Sequence, residues 1–334
     1  MKKSYNEVNL RKVAIIGCGF VGSASAFAIM QSGLFSEMVL IDADRDRAEG
    51  EALDISHGLP FAQPMKIYAG TYDDIVDAAI IIITAGANQK PDETRLDLVN
   101  KNVSIFKSII PEIKKRECGG ILLVISNPVD ILTYTTLKLS GFPENRVIGS
   151  GTVLDTSRLR YEVGEYLDVD SRSVHAFIIG EHGDSEIAAW SSANVSGVPL
   201  KNFYELKGKR KYEAVTTRMA ETVKNSAYEI ISKKKATYYG IAMSVRRLCQ
   251  AIMRNENSIL PVSVPMHGEY GINDVVLSFP SIVGKNGVES RMPIELSLEE
   301  QEALRESAET LKSVLNKIEL YNINIKCFIC PQSV

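Results

Sequence analysis

A β-rich run over residues 11–16 leads without a break into Gly17-Cys18-Gly19-Phe20-Val21-Gly22, and then into a helical pattern over residues 23–32. Few features restrict a chain more. Three glycines at this spacing between strand and helix give a tight turn, a close approach of backbone to a pyrophosphate, and a phosphate seated on the helix N-terminus. Gly17, Gly19, Phe20, Val21 and Gly22 are therefore candidate cofactor-binding residues. Asp42 stands twenty residues past Gly22, at the end of the next β run (residues 37–42), where a carboxylate accepts from ribose hydroxyls. Its charge repels a 2′-phosphate, so the expected cofactor is NAD rather than NADP.

The same alternation continues. Residues 45–57 have helical character, 66–69 suit a third strand, and 79–84 hold four consecutive isoleucines, as a strand buried on both faces should. Residues 94–115 predict one long helix that Pro111 should kink or end. Residues 120–126 predict another buried strand, 129–140 another helix, and 146–149 close this half. Strands alternating with helices predict an α/β fold, a Rossmann-type doubly wound parallel sheet, over residues 8–149. Beyond Gly151 the pattern becomes a second, mixed α+β domain, expected to span residues 150–320 and to hold the substrate. Helical stretches lie at 154–164 and 211–233, hairpin-like runs at 258–266 and 275–280, and a helix at 297–315 opens with Ser297 and Glu300 as a capping box. Residues 321–334 are a tail of unknown role.

Composition limits the partners. A net charge of −3 gives no basic excess for a nucleic-acid surface. The longest apolar run, residues 78–87, is half of what a bilayer span needs. Five scattered cysteines do not make a disulfide framework, and residues 1–10 lack an apolar signal core, so a cytoplasmic protein is expected. Cys327-Phe328-Ile329-Cys330 is a lone C-x-x-C with no second ligand pair, and no metal is expected.

Gly180-Glu181-His182-Gly183-Asp184 carries the most chemically suggestive residue. A histidine between glycines on a polar loop has few packing duties, and histidine is the natural acid–base group near neutral pH. Asp155 could orient it and stabilise its charged form. Arg158, three residues on and hence on the same helix face, offers a fork to a substrate carboxylate.

With these residues in view, the chain resembles the L-lactate/malate dehydrogenase family, and its bacterial L-lactate dehydrogenase branch most of all. The likeness runs from about Lys12 to Ile318. It includes residues 17–22, Asp42, residues 85–91, Arg95, Ser126-Asn127-Pro128-Val129-Asp130, residues 149–158 and 180–184, and Ala236-Thr237-Tyr238-Tyr239-Gly240. The resemblance implies that His182 is the catalytic acid–base, Asp155 its buried partner and Arg158 the clamp on the substrate carboxylate. It implies that Arg95 lies on a loop that closes over substrate and polarises the carbonyl. Asn127 would serve both nicotinamide and substrate, Thr237 would line the pocket, and Gly86 would lie against the cofactor.

Gln89 matches the position where the family's malate enzymes carry an arginine for a second carboxylate. A neutral amide there suits a monocarboxylate, because a second buried carboxylate would lack a cation. Reversible reduction of pyruvate to L-lactate is the expected reaction. A larger branched or aromatic 2-keto acid is the alternative, and malate is disfavoured. Arg160 and His175 match positions that hold fructose 1,6-bisphosphate across a twofold interface, which implies an allosteric homotetramer. Asp92 and Lys235 depart from the family, which often has glycine at both places. His57 and His267 have no evident partner and are expected to be structural.

Overall fold

The computed structural model describes residues 8–87 and 94–318. Gln89, Asp92, the 321–334 tail and its two cysteines lie outside the described residues.

The amino-terminal half is built from β1 (Asn9–Ile16), α1 (Phe20–Met30), β2 (Glu37–Ile41), α2 (Arg45–His57), β3 (Lys66–Ala69), β4 (Ala78–Ile83), α3 (Arg95–Lys115), β5 (Ile121–Val124), α4 (Val129–Ser140) and β6 (Val147–Gly149). Its strands are parallel and run in the order β6-β5-β4-β1-β2-β3. The chain winds outward from β1 to β3, then restarts at β4 on the other side of β1 and winds to β6. That reversal opens a crevice at the carboxyl ends of β1 and β4, the place where open α/β sheets bind ligands. β4 is buried along its whole length, as its isoleucines require.

The remainder comprises α5 (Val153–Leu167), the two-residue strands β7 (Val174–His175), β8 (Ile178–Ile179), β9 (Ile187–Ala188), β10 (Asn194–Val195) and β11 (Val198–Pro199), α6 (Leu200–Leu206), α7 (Tyr212–Lys234), α8 (Tyr239–Met253), β12 (Ser258–His267), β13 (Asn273–Gly284), β14 (Gly287–Arg291) and α9 (Leu298–Leu315). Its long antiparallel strands do not form a separate layer. β12 pairs with β6 through Ser263 and Gly149, so β12, β13 and β14 extend the parallel sheet to nine strands. Gly149 permits this: a methyl group there would lie 2.4 Å from Thr133 Oγ1 and 2.6 Å from Ser263 Cβ.

Three expectations need correction. Pro111 does not end α3, which continues to Lys115 with Ile109, Ile110 and Ile113 buried on either side of it, so packing outweighs the lost hydrogen bond. Arg95 is the first residue of that helix rather than a loop residue, behind a capping box made by Thr94 and Asp97. His267 does have a partner, since its Nε2 lies 2.7 Å from Glu144 Oε2.

Candidate active site

The glycine turn matches its spacing. Gly17 has φ +102°, and a methyl group there would meet the Ala85 nitrogen at 2.5 Å; one on Gly22 would meet the Gly17 carbonyl at 1.9 Å. Both are confined to glycine, the first by conformation and contact, the second by contact. Gly19 is different: φ is −72° and nothing lies within 4 Å of where its methyl would be. It caps α1 without a side chain, and no acidic residue occupies the first turn. The result is an open, unneutralised helix N-terminus suited to a pyrophosphate. Asp42 accepts from the Cys18 amide at 2.6 Å and from the Asp44 amide at 2.9 Å. The carboxylate that should meet ribose thus also fixes the turn that should meet phosphate. Arg47 stands at 4.0 Å from it. These residues fit a dinucleotide.

Across the crevice, α5 presents Asp155 and Arg158 on one face. Asp155 Oδ2 is 2.6 Å from His182 Nδ1, and its Oδ1 accepts from the Arg158 guanidinium at 2.8 Å. Asp155 is buried, while the His182 side chain keeps 24% of its surface. With Nδ1 engaged, Nε2 is the ring nitrogen left to exchange a proton with a substrate. Burial alone would depress the imidazole's basicity, but the Asp155 carboxylate outweighs it and raises His182 to about 9. Burial likewise acts to raise Asp155, and His182 with Arg158 overcome it and hold the carboxyl below its ordinary value.

The histidine loop is pinned from two sides. Gly180 has φ +89°, where a methyl group would lie 2.9 Å from Ser307 Oγ of α9, and that hydroxyl accepts the Glu181 amide at 2.8 Å. Asp130, in the first turn of α4, accepts the His182 amide at 2.8 Å and the Ser263 hydroxyl of β12 at 2.6 Å. Burial raises Asp130 to about 6 against the pull of those donors.

Asn102 fixes the root of the 88–93 segment. Its Oδ1 accepts from the Ala87 amide at 2.7 Å, and its Nδ2 donates to the Asn127 carbonyl at 2.7 Å and the Ala87 carbonyl at 3.3 Å. Gly86 lies between Asn102 and Ser126, and Asn127 is exposed at the end of β5. Thr237 sits in the short link between α7 and α8, half-buried, with Lys235 at φ +70° ending α7. Its neighbour Tyr238 stacks on Phe20 of the glycine turn at 5.4 Å, joining the two halves of the crevice.

Arg160 reaches the segment that follows His175: its Nε donates to the Ala176 carbonyl at 3.1 Å, and its guanidinium lies 5.3 Å from the Phe177 ring centroid. His175 is exposed on β7.

Asp130, Asn102 and Glu186 escaped the sequence reading. Asp130 lies in a quoted motif but received no role, Asn102 looks like an ordinary helix residue, and Glu186 follows the histidine string by two residues. Side-chain atoms of Asp155, His182 and Glu186 all lie within 4.8 Å of one another. A cation there would sit beside the Arg158 guanidinium, so the cluster does not suit a metal.

Two family profiles cover the chain: lactate/malate dehydrogenase, NAD binding domain, over residues 11–149, and lactate/malate dehydrogenase, alpha/beta C-terminal domain, over residues 152–321. The L-lactate dehydrogenase of Acetivibrio thermocellus is 52% identical over 315 residues, 94% of this chain and 99% of that one. L-lactate dehydrogenase 1 of Clostridium acetobutylicum is 53% identical over 307 residues, 92% and 98% of the two chains. Among solved structures, the ligand-bound minor L-lactate dehydrogenase of Enterococcus mundtii superposes with a TM-score of 0.90 at 47% identity, covering 93% of this chain and 99% of that one.

Proposed function

The chain belongs to the lactate/malate dehydrogenase family and is an NAD-dependent oxidoreductase of its L-lactate dehydrogenase kind, and we propose that its reaction is the reversible reduction of pyruvate to L-lactate. The observation that carries this is the linked set Arg158–Asp155–His182, one fixed cation and one proton-bearing ring sharing a single buried carboxylate. NADH, when bound, supplies the hydride that adds to the keto carbon. Asp42 and the amides of the Gly17–Gly22 turn would hold it, and Phe20, Val21, Gly86 and Asn127 would complete its site.

Arg158 takes the substrate carboxylate. His182 gives its Nε2 proton to the oxygen that becomes the hydroxyl, and takes it back in the reverse direction. Asp155 keeps the ring oriented and protonated until that moment. Arg95, at the start of α3, is assigned to the substrate carbonyl, Thr237 to the pocket wall, and Gln89 to the substrate's side chain. Gln89 supplies no charge, so a methyl is tolerated and a second carboxylate is not. A panel of pyruvate, branched and aromatic 2-keto acids and oxaloacetate, compared by kcat/KM with NADH, tests the assignment. Pyruvate should lead; a lead by oxaloacetate or by a bulky keto acid would overturn it.

The bond from Arg160 to the Ala176 carbonyl, one residue past His175, supports a regulatory reading as well. An arginine and a histidine from each of two subunits would offer a cationic site to fructose 1,6-bisphosphate across a twofold axis of a homotetramer. Composition favours a cytoplasmic setting, and among the described residues no helix is long and apolar enough to cross a membrane.

A further inference from the structure

Glu186 is the one member of the active-site cluster to which the proposed reaction gives no task. It follows the histidine loop, its amide donating to the Gly183 carbonyl at 3.2 Å, and its side chain turns back toward the dyad. A carboxylate oxygen lies within 4.8 Å of both Asp155 and His182. Its Oε1 is buried and has no hydrogen-bond partner among the described residues. A buried carboxylate left unpaired beside another carboxylate is costly when charged and cheap when neutral.

We propose that Glu186 is a carboxylic acid kept protonated beside the catalytic dyad, and that its ionisation at alkaline pH removes keto-acid affinity by competing with the substrate for His182 and Arg158. The residue acts through those two groups and is a positioning residue. This rests on the pyruvate reading above and adds a second ionisation to the one that His182 supplies.

The surroundings set the sign. Asp155 and Arg158 face Glu186 from α5, His182 from its own loop and Lys224 from α7, while Asp130 of α4 holds the His182 amide. Burial is the largest influence and Asp155 the next, both favouring the proton; His182, Arg158 and Lys224 oppose them. The balance raises the Glu186 carboxyl to about 8. Below that value Arg158 and protonated His182 answer to Asp155 and to the substrate carboxylate. Above it a new anion draws on the same two cations, and the incoming carboxylate is held less well. Ionised Glu186 also stabilises the proton on His182, so loss of the two protons is coupled and belongs to the pair.

The test is the alkaline limb of kcat/KM for pyruvate at saturating NADH, in the wild type and in Glu186→Gln. Two protons required for binding give a limiting slope of about −2, a loss of about a hundredfold per pH unit, whereas one gives about −1, or tenfold. The wild type should approach the steeper slope and Glu186→Gln the shallower. A second measurement needs no variant: proton uptake when oxamate, an inert keto-acid mimic, binds the wild-type NADH complex above pH 9. More than one proton per site is expected there. Equal slopes of about −1 in both proteins, or uptake that never exceeds one proton, would overturn the proposal. Should the wild type fail to reduce pyruvate, the substrate assignment fails, and the same slopes are read with the keto acid that is turned over.

Discussion

Asp155 is the residue on which the site's electrostatics turn, because His182 and Arg158 both depend on it. Replacing it by asparagine removes the charge that holds His182 near 9 and strands a guanidinium. The imidazole should fall by at least one pKa unit, worth about 1.4 kcal/mol. We expect Asp155→Asn to lose about a hundredfold or more in kcat/KM for pyruvate at neutral pH, with its alkaline limb moved to lower pH. Stability should respond to pH through the same groups. Folded Glu186 keeps until about 8 a proton that an unfolded chain gives up at 4.5, and folded His182 keeps until about 9 one given up at 6.5. Each contribution is complete below the unfolded value and is lost as pH rises through the folded one, so Tm should fall across both windows. In Glu186→Gln the fall between pH 4.5 and 8 should flatten by a few degrees, read by calorimetry; an unchanged profile would mean Glu186 is already ionised. His182, Asp155 and Arg158 were legible because a histidine between glycines and a three-residue helical spacing are local signals. Glu186, Asp130 and Asn102 acquire meaning only through partners far along the chain, as with Asp130 and Ser263.

At the scale of elements, the turn between β1 and α1 separates two kinds of glycine. Gly22→Ala would drive a methyl into the Gly17 carbonyl at 1.9 Å and should cost several degrees of Tm. Gly19→Ala meets open space at an ordinary φ, so Tm should hold within a degree or two while the Kd for NADH rises about tenfold. Equal NADH affinity in Gly19→Ala would remove the pyrophosphate from this turn. Asn102→Ala strips two hydrogen bonds from Ala87, at the edge of residues 88–93, and one from the Asn127 carbonyl. About 1–3 kcal/mol of stability should be lost, with a raised KM for pyruvate. The long elements were legible for physical reasons: a buried parallel strand shows as an isoleucine run, and the capping box at Ser297 marks the start of α9. α8 was not, since Tyr238 caps it without a side-chain hydrogen bond and α7 ends at Lys234, leaving only residues 235–238 between the two helices. The strands β7 to β11 are two residues each, too short for an alternating pattern to show.

At the scale of the whole molecule, a single nine-stranded sheet ties both halves together. Fructose 1,6-bisphosphate should lower the KM for pyruvate about fivefold or more by favouring one quaternary state, and Arg160→Gln should abolish that response; kinetics indifferent to millimolar effector would discard it. The doubly wound sheet could be foreseen from the alternation of strands and helices, but the joining of β12 to β6 could not, because that contact rests on Gly149 and Ser263, far apart in sequence. The central claim is that His182, charged through Asp155, delivers the proton that turns a keto acid into L-lactate. Its most direct measurement is the single-turnover rate of NADH oxidation by saturating pyruvate in the wild type and in His182→Asn, with NADH affinity measured in both. The expected result is conversion to L-lactate by the wild type, a rate lower by about a thousandfold in the variant, and unchanged NADH binding. A variant that binds NADH normally and keeps its rate within about tenfold of the wild type would contradict it.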